Sequence, residues 1–365
     1  MKYIGIDLHS NCFTVFTICD NGRKSKESYK LDGDSIRTFK KKLNKSCYVM
    51  LEASTNSFRF AELMRPLVKE LLIANPCKLK LISITNKKTD HVDAEKLAIY
   101  LKMQVVSKEK LINPVYVPER SIQELRSLFR TYKLLKKQIG ATKNRIHSIL
   151  RQNLHPFTKQ YIFGKKSRKE ILSLELEEGE RFQVAFLFKE LEYLENSIRE
   201  IEDRIHIVGS RYTHEIDILT SMKGISVFTA IAIISDIATV KRFPDSKHFT
   251  SYLRSAPGVD SSNETTRITK TNKIGRKLSI TLISQSLNHF RDSNPKLNRW
   301  YTRKVENKSR GKVRMALCRR VFAEIYQMLK KGEYHHHRNE LNHTDKMNSY
   351  YKFLDANGIK YKKSA

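Results

Sequence analysis

Apolar and polar positions are patterned differently in three stretches of the chain. In the first hundred residues, short apolar runs of strand length are separated by turn residues. Tyr3–Asp7 closes on an acid. Phe13–Cys19 is β-branched and aromatic, with Asp20-Asn21-Gly22 behind it, and Cys47–Leu51 closes on a second acid, Glu52. Ser25–Leu31 would complete a meander, and Leu71–Ala74 is a last short run before Asn75-Pro76. Helical spacing holds over Ser35–Leu43, with Asp34 as N-cap, over Phe58–Lys69 and over Asp90–Met103. Strand runs interleaved with helical ones predict an α/β domain over residues 1–110.

The middle of the chain has one long helical period. Leu125, Leu128, Tyr132, Leu135, Ile139, Thr142, Ile146 and Ile149 step by threes and fours, and so do Leu187, Leu191, Leu194, Ile198, Ile201, Ile205 and Val208. Two such stripes, separated by Pro156 and a basic stretch at Lys165–Lys169, predict an antiparallel helical hairpin or coiled coil over residues 111–210. The plainer alternative is a helix pair packed on a core. Residues 211–331 predict a mainly helical third domain. In it Met222-Lys223-Gly224-Ile225-Ser226 leads into the apolar helix Val227–Ile237, and the helix Val313–Leu329 keeps one apolar face. A glycine turn at a helix start can grip phosphate through its amides, although such turns are more often structural. Residues 332–365, with His335-His336-His337, are polar enough to suggest a loosely packed tail and a solvated histidine run.

Composition narrows the function. Hydrophobic residues make up 40% of the 365, enough for real cores, and no apolar run is long enough to span a membrane. An acid at position 7 interrupts any signal-peptide core. The five cysteines form no C-x-x-C pair, so neither a disulfide framework nor a zinc ribbon is expected, and a reducing cytoplasm fits. The formal net charge is +31, which favours a polyanionic partner, nucleic acid first. From Arg267 to Lys331 there are 18 Lys and Arg against three acids, a net of +15, so about half of the excess lies in under a fifth of the chain. Cations there alternate with Trp300, Tyr301, Phe322 and Tyr326.

The acids suggest chemistry. Asp7 and Glu52 each end an apolar strand, where side chains project into the ligand crevice of α/β folds. Asp90 and Asp93 stand one helical turn apart. Singly, each reads as a surface or capping carboxylate. Converging, the four would repel unless cations bound them, and hard oxygen donors suit Mg²⁺ or Mn²⁺. Two such ions are the usual apparatus for phosphodiester cleavage. The pattern is that of an RNase H/RuvC-like α/β domain, here followed by a helical coiled-coil insertion and a mainly α C-terminal domain.

Gly5-Ile6-Asp7, Leu51-Glu52-Ala53-Ser54 and Lys88-Thr89-Asp90-His91-Val92-Asp93-Ala94 together resemble the D-E-D-D signature of the Piv-like insertion-sequence transposases. A further resemblance lies in Ala256-Pro257-Gly258-Val259-Asp260-Ser261-Ser262-Asn263, followed by Arg267-Ile268-Thr269-Lys270. Asn263 and Asn272 stand where that family has glycine, and Asn is the next most tolerant residue for left-handed backbone. The likeness covers about residues 1–331. It implies a site-specific recombinase that cuts and rejoins DNA through a serine–DNA adduct. By alignment the nucleophile is Ser262, with Ser261 second. The implied ligands for Mg²⁺ or Mn²⁺ are Asp7, Glu52, Asp90 and Asp93.

The residues alone would make both serines loop hydroxyls. The resemblance also implies a structured bridge RNA that selects DNA sites by base pairing, and a bacterial cytoplasmic, nucleoid-associated protein. Expected phosphate contacts are Lys88, Arg267, Lys270, Lys273, Arg276, Lys277, Arg314, Arg319 and Arg320. The helical region would assemble a dimer or tetramer. Whether the acids and the serine act within one chain or across copies is left open. The alternatives are a RuvC-like nuclease using water without an adduct, a Piv-type invertase, and a noncatalytic nucleic-acid scaffold.

Overall fold

A computed structural model describes residues 1–76, 90–109, 111–155, 163–262, 265–271 and 275–363, with the backbone alone for 90–92, 165, 259–262 and 265–270. The chain divides into two compact units, Met1–Val117 and Pro118–Ala365.

The first unit is built on a five-stranded mixed sheet in the order β3-β2-β1-β4-β5. Its strands are β1 (Lys2–Leu8), β2 (Cys12–Cys19), β3 (Lys24–Lys30), β4 (Cys47–Glu52) and β5 (Glu70–Ala74). β1 runs antiparallel to β2 and parallel to β4, and β4 runs parallel to β5. The central strands are apolar on both sides because both faces are covered. Ile4, Ile6, Val49, Leu51 and Ile73 enter one core, shared with Phe39 of α1 (Gly33–Lys41) and Phe60 and Met64 of α2 (Ser57–Met64). Tyr3, Tyr48, Met50 and Ala74 point to the opposite face, where Leu97, Ala98 and Leu101 of α3 (Asp90–Ser107) cover them. The outer strand β3, Lys-Ser-Lys-Glu-Ser-Tyr-Lys, carries lysines that blunt a sheet edge. At the other edge Val115 donates to Ile73 O at 2.7 Å. The cap of α1 is Asp32, which accepts from Ser35 N at 2.8 Å, two residues before the expected Asp34.

In the second unit two long helices, α4 (Arg120–Gln152) and α6 (Glu178–Gly209), pair in opposite directions: Arg204 reaches Glu124, while Arg145 reaches Gln183. Each is roughly 50 Å long at 1.5 Å per residue. The two expected stripes therefore meet, but pairing alone does not establish coiled-coil packing. The distal halves bury Ile146, Ile149, Leu191 and Ile198 together with Ile171 of the short α5 (Lys165–Leu172). The proximal ends, through Ile122, Leu125, Phe129, Ile205 and Val208, belong to the main core.

That core is completed by α7 (Thr213–Thr220), α8 (Val227–Ile237), α9 (Ser246–Tyr252), α10 (Leu278–Gln285), α11 (Leu287–Ser293), α12 (Pro295–Asn307), α13 (Arg310–Lys331) and α14 (Glu340–Ala356). α8 is apolar all round and buried along nearly its whole length, with Ser226 capping Thr229 N. A hairpin of β6 (Pro257–Ser262) and β7 (Thr265–Thr271) lies between α9 and α10.

The expected loosely packed tail is instead a docked helix. Met347, Tyr350 and Leu354 of α14 enter the main core, His343 meets Asp217 at 2.9 Å, and Lys346 donates to Thr220 O and Ile225 O. His335, expected in a solvated loop, is only 5% exposed and faces Glu324. Three apolar residues at helical spacing suffice to seat a helix that is otherwise polar. The turn before α8 is packed as well: a Cβ on Gly224 would lie 3.0 Å from His289 and 3.2 Å from Phe290, so it reads as a structural turn rather than a phosphate grip.

Candidate active site and nucleic-acid interface

The strand register brings two of the four acids together. Ile6 of β1 pairs with Leu51 of β4, so Asp7 and Glu52, the next residue on each strand, stand in step where the pairing of these parallel strands ends. Neighbouring strands lie about 4.8 Å apart, and paired residues share a face of the sheet. That face is the one under α3, since Ile6 and Leu51 point the other way into the core beneath α1 and α2. Asp7 is 9% exposed, and its Oδ2 lies 3.0 Å from His9 Nε2.

Close backbone approach sets α3 on the same face of the sheet. A Cβ on Gly5 would stand 2.0 Å from Ala94 O and 2.5 Å from Ala98 N, so only glycine lets α3 lie directly on β1. Further along α3, Lys102 lies within electrostatic reach of Asp20, whose carboxylate accepts from the Met1 amine at 2.6 Å. The C-terminal part of α3 thus sits over the start of β1, and its first turn sits over the end of β1, where Asp7 is. Asp90 opens that turn, and Asp93, half-buried, follows one turn later. Among the described residues no three His, Cys, Asp or Glu side chains stand close enough to hold an ion. Only the backbone of Asp90 is described. The donors Asp7, Glu52 and Asp93 are hard carboxylates, the chemistry that suits Mg²⁺ or Mn²⁺.

His9 is a residue that sequence reasoning missed. It lies outside the acid pattern, and its one signal was its place two residues after a strand-end acid.

In the second unit the serines sit on a strand, not on the expected polar loop. Ser261 pairs with Thr266, and Ser262 with Thr265, at the tip of the β6–β7 hairpin. Asn263 and Asn272 lie outside the described residues. Arg267, opposite Asp260, and Lys270 belong to β7. Lys88 and Lys273 also lie outside the described residues. Arg276 is half-buried and Lys277 exposed just before α10. On α13, Arg314, Arg319 and Arg320 face solvent while Leu317, Cys318 and Val321 face the core. Arg320 stacks on Trp300 at 4.2 Å and Arg314 donates to Ser284 O at 2.7 Å, so both are held in place rather than free to wander. Solvent-facing cations, one of them braced on an indole ring, suit a phosphate backbone.

A mixed sheet with acids at its strand ends, followed by a basic helical part, suits an enzyme that works on DNA. The comparisons narrow the class. Residues 4–155 match a DEDD transposase model of the IS110 type, described as a transposase, and residues 216–301 match the Transposase IS116/IS110/IS902 family. The chain carries both domains of one family: it is an IS110-family transposase, a DNA transposase/recombinase enzyme. A search of curated proteins finds no match. The mixed sheet and helical second unit agree with an RNase H-like DEDD domain and a helical C-terminal part. Among the described residues no helix is long and apolar enough to cross a membrane.

Proposed function

We propose that this transposase cuts and rejoins DNA through a covalent serine adduct, with divalent cations held by Asp7, Glu52, Asp90 and Asp93. The observation that carries the reading is the in-step placement of Asp7 and Glu52 where the pairing of β1 and β4 ends, beneath the first turn of α3. Acids drawn together there would repel one another, a cost that a bound cation offsets. Mg²⁺ or Mn²⁺ bound there would supply Lewis-acid stabilisation of phosphate oxygens.

The chain's own groups do the rest. Ser262, with Ser261 second, offers a hydroxyl at the hairpin tip. Its oxygen bonds to phosphorus, the cut strand leaves with the bridging oxygen, and the serine proton goes to a base. The phosphoester is conserved, so a strand hydroxyl can reverse the step and rejoin DNA without an external energy source. The basic residues of β7, the stretch before α10 and α13 hold the backbone without reading bases. Site choice by a structured guide RNA would leave sequence reading to base pairing. Assembly of two or four copies through the long helices is supported by Phe182, Phe186 and Tyr193, which are 70%, 60% and 71% exposed along α6. The protein would act in the bacterial cytoplasm at the nucleoid.

The test is incubation with DNA bearing the element's ends, Mg²⁺ and the element's RNA, read on a denaturing gel. Wild-type protein should yield a protein–DNA adduct. Ser262→Ala should yield none, and Asp7→Asn or Glu52→Gln should remove cleavage while leaving the circular dichroism spectrum intact. Undiminished cleavage by Ser262→Ala combined with Ser261→Ala would replace this reading with hydrolysis by a two-metal nuclease.

A further inference from the structure

At the root of the serine hairpin, three elements converge on one buried carboxylate. Asp236, at the end of α8, is 3% exposed, and its Oδ2 accepts from Ser279 N at 2.9 Å and Ser279 Oγ at 2.8 Å. Its main-chain carbonyl and that of Ser235 accept from the Arg126 guanidinium of α4 at 3.0 and 2.7 Å. Asp236 thereby ties α4, α8 and α10 together. The hairpin root is clamped beside it: Gly275 takes φ +114°, a Cβ there would lie 2.2 Å from Tyr252 O, and Arg276 N donates to that same oxygen at 3.0 Å.

This framework crowds cations. Burial pushes the Arg126 guanidinium down to about 10, and Arg276 and Arg242 push the same way. Burial also lowers the Lys133 ammonium, with Lys277 and Arg276 repelling it and Asp236 opposing. Two of the five cations are committed. Arg126 caps α8, and Arg242 donates to Ile237 O at 2.9 Å and stacks on Phe243 and Tyr252. The other three, Lys133, Arg276 and Lys277, reach the surface and make no ion pair among the described residues. Three like charges held together from two elements, over a single shared acid, are stabilised by an anion from outside.

We propose that Lys133 of the helical arm, with Arg276 and Lys277, forms a seat for a backbone phosphate of the DNA strand lying along the serine hairpin. The proposal rests on the DNA-cleaving reading only for which DNA is held, since seating itself is a binding event.

The test is salt-dependent binding of full-length protein to a mixed-sequence duplex of about 30 base pairs, with a structured RNA as a second probe. Each phosphate contact adds about 0.9 to the slope of log K against log salt on B-DNA. Lys133 and Lys277 share one phosphate, so the double variant Lys133→Gln/Lys277→Gln should lower the slope by about 0.9, and each single variant by less. At 0.1 M salt the full loss is roughly an eightfold fall in DNA affinity, whatever the sequence. Lys352→Gln, on the exposed side of α14, should change nothing. Thermal melts confirm folding, and Arg276→Lys, which keeps charge, should hold the wild-type slope. Unchanged slopes on DNA, or a fall with RNA alone, overturn the seat. The serine reading stands or falls separately on the adduct gel, which does not depend on these slopes.

Discussion

Gly5→Ala tests whether α3 truly lies on β1. The new methyl would stand 2.0 Å from Ala94 O and 2.5 Å from Ala98 N, both backbone atoms that cannot rotate away. An ordinary carbon–oxygen contact is about 3.3 Å, so α3 must withdraw by roughly 1.3 Å. Withdrawal opens a gap over Tyr3, Tyr48 and Met50, which now pack against Leu97, Ala98 and Leu101. A gap of that size forfeits about half of the local dispersion energy. Overpacking at a tight site costs about 1–3 kcal/mol, and the upper end fits here.

The only tryptophan, Trp300, lies in the second unit, so its fluorescence does not report on this loss. Urea titration followed by proteolysis of the first unit does. Because the first turn of α3 carries Asp90 and Asp93, a displacement near 1 Å should also cut DNA cleavage by on the order of 100-fold. Gly140→Ala is the control: nothing lies within 4 Å of its added methyl, and in the middle of α4 it should stabilise by about 0.5–1 kcal/mol. Normal stability and cleavage in Gly5→Ala would refute the close approach. Lost stability with normal cleavage would refute the link from α3 to the acids.

Other outcomes follow from single features. Burial holds the His206 imidazole below its usual range, against the rings of Phe228, Tyr350 and Phe353. Its folded pKa is depressed, so the unfolded chain takes the proton first; stability should fall as pH drops below about 6.5, and His206→Phe should flatten that limb in denaturant titrations. Removing residues 333–365 strips Met347, Tyr350 and Leu354 from the main core; at about 1.5–3 kcal/mol for each buried side chain, thermal melting of the second unit should drop sharply or the protein should aggregate.

The sheet was legible because strands have a local signature, an apolar run closed by polar residues, and the placement of Asp7 and Glu52 near strand ends came with it. The helix Val227–Ile237 was legible to the residue, since Ser226 caps it and everything behind it is apolar. The serine hairpin was less so. Pro257–Ser262 is too polar to look like a strand, although Thr265, Thr266, Ile268, Thr269 and Thr271 are β-branched and hinted at one. In the tail, three core residues were hidden among polar ones. The need for glycine at position 5, and the gathering of Lys133 with Arg276 across more than a hundred residues, arise only from tertiary contact and leave no local trace.

The main core draws Ile122 and Phe129 from before the segment matched at 216–301, and Tyr350 and Leu354 from well after it. A fragment cut at those family limits would expose half a hydrophobic interior to water. A graft of this part onto another module must therefore carry the proximal ends of α4 and α6 and the docked α14 along with the matched segment.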